Sequence, residues 1–92
     1  MTLEQLQDKL LPILFDDNDK FEDVNRANIL YDRETKRLTI KRTKFDFIDC
    51  KFIDIETTDK LSEIIKCQGI VIVYSDNPIQ IIITMYNVII DN

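Results

Sequence analysis

This 92-residue chain contains no histidine, no tryptophan, one glycine, one alanine and two prolines, whereas isoleucine occurs sixteen times. Without histidine, it lacks the usual base of a nucleophilic catalytic site and a common zinc ligand. The single glycine excludes a glycine-rich phosphate loop. The bias toward residues with AT-rich codons fits low-GC bacteria, their phages and several viruses.

The two cysteines, Cys50 and Cys67, do not have the spacing of a metal-binding or redox motif. We therefore expect free thiols in a reducing cytoplasm, with a single disulfide as the alternative. Glu4 and Asp8 interrupt the start of the chain, where a secretory signal would be basic and then apolar. Ile79–Ile90 is too short to span a membrane as a helix. These features predict a cytoplasmic protein without a membrane segment.

Two helices are predicted. Thr2 and Gln5 have the spacing of a capping box, and the following leucines share one face of a helix that ends or kinks near Pro12. The second helix starts near Thr58, and Gly69 occupies the left-handed position that closes it.

Five strands are predicted from apolar alternation and from runs of β-branched residues. Asp16–Asp23 is predicted to be a polar connection before the first of them. The strands are Ala27–Tyr31, Arg37–Lys44, an irregular one over Phe45–Ile55, Ile70–Ser75 and Ile79–Ile90. The resulting order, α-β-β-β-α-β-β, indicates a single α+β domain over residues 1–92, with a mainly antiparallel sheet and the helices on one face.

The last third of the chain, residues 69–90, is rich in isoleucine, valine and tyrosine that do not alternate with polar residues. Because successive side chains of a strand point to opposite faces, these strands place apolar groups on both. Two short helices cover only one face, so we predict that a second molecule covers the rest, by sheet packing or strand addition. The candidate contact residues are Ile81, Ile83, Met85 and Tyr86.

The net charge of −5 is unevenly distributed, since residues 1–34 carry −5, residues 35–51 carry +4 and residues 52–92 carry −4. The hairpin 36–44 holds the basic side chains Lys36, Arg37, Lys41, Arg42 and Lys44. We interpret it as a solvated hairpin that docks on an acidic protein surface. Contact with nucleic acid is the alternative, although an acidic chain disfavours it at long range.

An acidic cluster lies between the first helix and the first strand: Asp16, Asp17, Asp19, Glu22 and Asp23. It lacks the glycine and the glutamate of an EF-hand loop, so no metal site is expected. We interpret the cluster as a solvated connection, with mimicry of nucleic acid as the alternative.

One resemblance to an enzyme family follows from the predicted element order. The order α-β-β-β-α-β is similar to the core of PD-(D/E)xK nucleases, and Asp49-Cys50-Lys51 resembles their D-x-K motif. The resemblance implies that Asp49 and an earlier acid, Asp32 or Asp46, hold Mg²⁺, and that Lys51 stabilises charge at the phosphate.

The sequence favours a non-enzymatic protein that acts through protein–protein interaction, as a homodimer or bound to a larger partner. We expect no cofactor and no metal. The composition further suggests a phage or viral inhibitor or adaptor of host machinery, and the nuclease and nucleic-acid alternatives stay open.

Overall fold

A computed structural model describes residues 1–15, 18–43, 55–76 and 79–91. The helices are α1 (Leu3–Leu14), α2 (Asn18–Ala27) and α3 (Ile55–Ile64); the strands are β1 (Ile29–Asp32), β2 (Arg37–Thr43), β3 (Gly69–Asp76) and β4 (Ile79–Tyr86).

Helix α1 begins at the predicted capping box. The Thr2 hydroxyl accepts the backbone N–H of Gln5, and the Gln5 side chain accepts the backbone N–H of Thr2. The helix continues for two residues past Pro12 and ends where Phe15 donates its backbone N–H to Leu11. The prediction of the helix start is confirmed, and the predicted end near Pro12 is correct to within those two residues.

Helix α2 occupies most of the segment that was predicted to be a polar connection, so that prediction is wrong. The Arg26 guanidinium donates to Asp8 at 2.7 Å, which links α2 to α1. It also donates to Glu22, one turn earlier in α2, at 2.9 Å. Asn25 is buried although its side chain is polar. Charged and polar contacts therefore help to hold this helix, and only Phe21, Val24 and Ala27 of its ten residues are apolar, too few for the apolar stripe on which the sequence prediction relied.

The four strands of the described residues form one antiparallel sheet in the order β1-β2-β4-β3. The predicted α+β class with an antiparallel sheet is confirmed. The order of elements is α-α-β-β-α-β-β and differs from the prediction by the additional helix. The predicted irregular strand lies outside the described residues except for Ile55, which is the first residue of α3 and not part of a strand.

Several other predicted boundaries are wrong. Ala27, the predicted start of the first strand, ends α2, and α3 begins at Ile55 instead of near Thr58. Gly69 does not close α3 in a left-handed conformation; it has no positive φ and starts β3 opposite Tyr86. β4 ends at Tyr86 instead of Ile90, because Asn87 adopts a φ of 55° and turns the chain out of the sheet. The backbone N–H of Val88 then bonds to the carbonyl of Lys36, which holds the end of the chain against the β1–β2 turn.

Candidate functional site

Alternate residues of β4 have opposite surroundings. Ile81, Ile83 and Met85 are fully buried and pack with α1, α3 and β2 in one apolar core. Ile83 pairs with Ile40 of β2, which has the same inward orientation. We call this side of the sheet the inner face.

Three of the four predicted contact residues are therefore in the core. The prediction placed Ile81, Ile83 and Met85 on an accessible surface, whereas the structure buries them under the helices. The fourth, Tyr86, has the opposite parity and is exposed. The helices cover the face that the sequence analysis assigned to a partner, and the other face carries the accessible apolar groups.

We call the opposite side of the sheet the open face. One row of residues crosses all four strands, because Leu30 pairs with Thr39, Thr39 with Thr84, and Thr84 with Val71. Leu30 is 51% exposed and Val71 47% exposed, while the two threonines are half-buried.

A second row of the open face contains Lys41, Ile82 and Val73. Val73 is 53% exposed, Lys41 is exposed and Ile82 is half-buried. The open face thus has branched apolar side chains at both edges of the sheet and a cation near its middle.

Arg37 and Tyr86 form the third part of the open face. The Arg37 guanidinium lies over the Tyr86 ring, with its carbon 5.1 Å from the ring centroid. Arg37 also pairs in register with Asp32 on β1. The Tyr86 ring therefore lies beneath a cation and is only partly available to another molecule.

The basic residues of the hairpin do not share one surface. Arg37 and Lys41 lie on the open face, whereas Arg42 pairs with Ile81 and has the inward parity. Lys36 is exposed in the turn with a φ of 56°, and Lys44 lies outside the described residues. Of the four basic residues of the hairpin that the structure describes, two lie on the open face.

The acidic cluster is also divided. Glu22 and Asp23 are exposed on α2, Asp19 belongs to the same helix, and Asp16 and Asp17 lie outside the described residues. Glu22 binds Arg26 within the helix. The described part of this cluster therefore belongs to a helix, where one of its carboxylates has a structural partner.

Of the acids that the nuclease resemblance implies as Mg²⁺ ligands, Asp32 is the one that the structure describes. Its carboxylate accepts the backbone N–H groups of Thr35, at 3.3 Å, and Glu34, at 2.9 Å, and so closes the β1–β2 turn. The pKa of Asp32 lies below the usual range of a carboxyl group. The main cause is the hydrogen bond from Thr35, followed by that from Glu34, and the positive charge of Arg37 adds to the effect. The other acid of the candidate site and its lysine, Asp49 and Lys51, lie outside the described residues, as does Asp46.

The described residues contain few other groups that could bind a metal ion or act as a nucleophile. No group of three or more metal-ligating side chains occurs among residues 1–15, 18–43, 55–76 and 79–91. Cys67 is a half-buried free thiol, and Cys50 lies outside that part of the chain.

None of the helices in the described part of the chain is both long and apolar enough to cross a bilayer.

The chain matches no protein-family model, no curated protein and no solved structure.

Sequence reasoning missed Leu30, Val71 and Val73 as accessible apolar residues. One available signal pointed to them: Leu38 and Ile40 were the only apolar residues of the regular part of β2, so their face had to be the core. Because β4 pairs with β2, Ile81 and Ile83 lie on the same face as Leu38 and Ile40. Ile82 and its cross-strand partner Val73 then point outward. The pairing itself is a tertiary contact and was not readable from the sequence.

Proposed function

We propose that this chain is a protein-interaction domain without catalytic activity, and that it binds other proteins through the open face of its sheet. The observation that carries the proposal is the set of exposed apolar side chains on one regular sheet surface, one on the β1 edge and two on the β3 edge. Leu30, Val71 and Val73 are each about half exposed. Exposed apolar side chains interspersed with polar ones on a regular surface are typical of protein contact sites.

The charges of the open face favour a partner that combines apolar and acidic groups. Arg37 and Lys41 both project from β2, with Thr39 between them. A partner surface with apolar groups over the strand edges and a carboxylate near β2 would complement this arrangement. The net charge of −5 belongs mainly to other parts of the chain.

Hydrophobic dye binding tests whether the open face is an available apolar surface. The variant Leu30→Ser/Val71→Ser/Val73→Ser removes three apolar side chains from it. Val24→Ser/Ile89→Ser is the control, because Val24 is 44% exposed and Ile89 68% exposed elsewhere on the protein. We expect the wild type and the control to bind bis-ANS and the triple variant to lose most of the binding. No binding by a monomeric wild type would contradict the proposal.

A second candidate, contact with nucleic acid, is supported by one observation. Arg37, Lys41 and the Tyr86 ring share the open face, and cations beside an aromatic ring are typical of surfaces that bind single strands. Electrophoretic shift of single-stranded DNA and RNA that weakens with salt and is lost in Lys41→Gln would favour it over a protein partner.

The nuclease alternative requires metal-dependent cleavage. Incubation of the chain with DNA and RNA, with Mg²⁺ or Mn²⁺, should leave the nucleic acids intact. Cleavage that depends on the metal and is lost in Asp49→Ala would overturn the non-enzymatic proposal.

A further inference from the structure

Gly69, the only glycine of the chain, is the first residue of β3 and is paired with Tyr86. It has no positive φ, so its backbone conformation is open to any residue. A Cβ added at Gly69 would meet no atom within 4 Å among the residues that the structure describes, so packing does not require glycine either. A glycine in a strand is less favourable than a branched residue, and it often marks a place where another molecule approaches the backbone closely.

Gly69 leaves a gap in the open face beside Tyr86. Arg37 lies next to Tyr86 on β2, one position beyond the pair of Leu38 with Met85, and its guanidinium covers one face of the ring. On the other side of Tyr86 the neighbour across the strands is Gly69, which has no side chain to cover the opposite face. We call this gap the notch; its floor is Gly69, and its walls are Tyr86 and Val71.

The notch is formed before any partner binds. The backbone N–H of Gln68 donates to the Tyr86 carbonyl at 2.9 Å, and the side-chain amide of Asn87 donates to the side chain of Gln68. Arg37 holds the Tyr86 ring from the side of β2. A side chain that enters the notch therefore meets walls that are already ordered, which lowers the entropic cost of binding.

We propose that the notch receives an aromatic side chain of a partner protein. Such a ring would stack against the face of Tyr86 that Arg37 does not cover and would contact the methyl groups of Val71. Aromatic residues are the usual anchors of protein contacts, and a stacked aromatic pair is more favourable than its buried area alone provides. The proposal rests on the proposed function, since it names the anchor by which a partner binds the open face.

Charge complementarity specifies a second group of the same partner, a carboxylate at Lys41. Lys41 is exposed on the open face and forms no ion pair with another residue of the described part of the chain. Arg37, the other cation of this face, already lies beside Asp32 and over Tyr86. An acidic side chain of the partner is therefore expected at Lys41.

The sheet sets the spacing of these two groups. Gly69 and Lys41 are two strands apart across the sheet and four residues apart along it, a separation of about 17 Å. An extended segment covers this distance in about five residues. The partner that fits is thus a segment with an aromatic residue and, about five positions away, an aspartate or a glutamate.

A capped hexapeptide with tryptophan first, glutamate last and serine between them is the probe. The chain contains no tryptophan, so the emission and anisotropy of the peptide's indole report binding directly. Because Gly69 is the only glycine, ¹⁵N-glycine gives one glycine amide signal, at the floor of the notch. We expect the wild type to bind with a Kd of about 1 mM or tighter, and the Gly69 signal to shift with the same Kd.

Filling the notch should weaken this binding without harming the fold. We expect Gly69→Ala and Gly69→Val to unfold at the wild-type temperature or above it, and Gly69→Val to bind the peptide at least about tenfold more weakly. Thr39→Val is the control, because it alters a half-buried residue of the open face outside the notch and keeps its size. Lys41→Gln should weaken binding of the peptide that ends in glutamate but not of one that ends in glutamine.

Four results would overturn the proposal: no binding by the wild type, equal binding by Gly69→Val, equal competition by a peptide with leucine in place of tryptophan, or a lower unfolding temperature of Gly69→Val, which would assign the glycine an internal structural role. None of them removes the proposed function if the wild type binds bis-ANS and the triple serine variant does not. Absence of dye binding would remove the proposed function itself.

Discussion

The guanidinium of Arg37 lies over the ring of Tyr86, with its carbon 5.1 Å from the ring centroid, and links β2 to β4 on the open face. The two residues are neighbours across the strands, since Leu38 pairs with Met85 one position away on each. The contact has a structural role that is independent of any partner, and it also limits how much of the ring a partner can reach.

Replacing Tyr86 by leucine should lower the free energy of unfolding by about 0.5–1 kcal/mol, the usual value of an exposed cation–π contact. Urea denaturation of the wild type, Tyr86→Leu, Arg37→Gln and the double variant measures the coupling between the two side chains. We expect a coupling energy of similar size. If the two single effects simply add, the contact does not stabilise the sheet.

The assignment of the two faces of the sheet can be tested with two truncations of similar chemistry, one in β4 and one in β3. Ile83→Ala removes side-chain atoms from the fully buried core and should cost about 2–5 kcal/mol of unfolding free energy. Val71→Ala truncates a residue that is 47% exposed and should cost less than about 1 kcal/mol. Chemical denaturation of both variants measures the difference, and similar losses would show that the inner and open faces are assigned wrongly.

Gln7 connects α1 to the start of the sheet. Its side-chain amide donates to the carbonyls of Arg26, at 3.3 Å, and Ile29, at 3.1 Å, so Gln7→Met leaves two part-buried acceptors without this donor. We expect a loss of about 1–3 kcal/mol. Lys9→Met is the control, since Lys9 is an exposed residue of the same helix. Thermal or urea unfolding that is equally affected in both variants would contradict the role of Gln7.

Asp32 should make the stability depend on pH on the acid side. Its pKa is lower in the folded chain than the usual carboxyl value, chiefly because its carboxylate accepts the Thr35 and Glu34 N–H groups. Its ionised form therefore stabilises the fold above about pH 4, and this contribution is lost as the pH falls through the lowered pKa.

The test compares the wild type with Asp32→Asn, which keeps an acceptor oxygen but does not titrate. The difference in unfolding free energy between them should shrink as the pH is lowered from about 6 to about 2. A difference that stays constant over this range would mean that the Asp32 carboxylate does not contribute through its charge.

Local patterns accounted for much of the fold. The capping box at Thr2, strand β2 and the inward face of α3 were predictable because each depends on residues close together in the sequence. Leu61 and Ile65, which follow the predicted start of this helix near Thr58, are in the core. Helix α2 was not predictable in this way, since it is joined to α1 by the contact of Arg26 with Asp8, eighteen residues away.

The sequence by itself determined that this is an α+β chain with an antiparallel sheet and apolar residues on both sides of β3 and β4. Only the tertiary structure decided which side is covered. In β4 the residues Ile81, Ile82 and Ile83 are chemically identical, so local composition cannot distinguish an inward from an outward position. The pairing of Ile81 and Ile83 with inward-facing positions of β2 sets the parity, and the helices then bury that face and leave the other open.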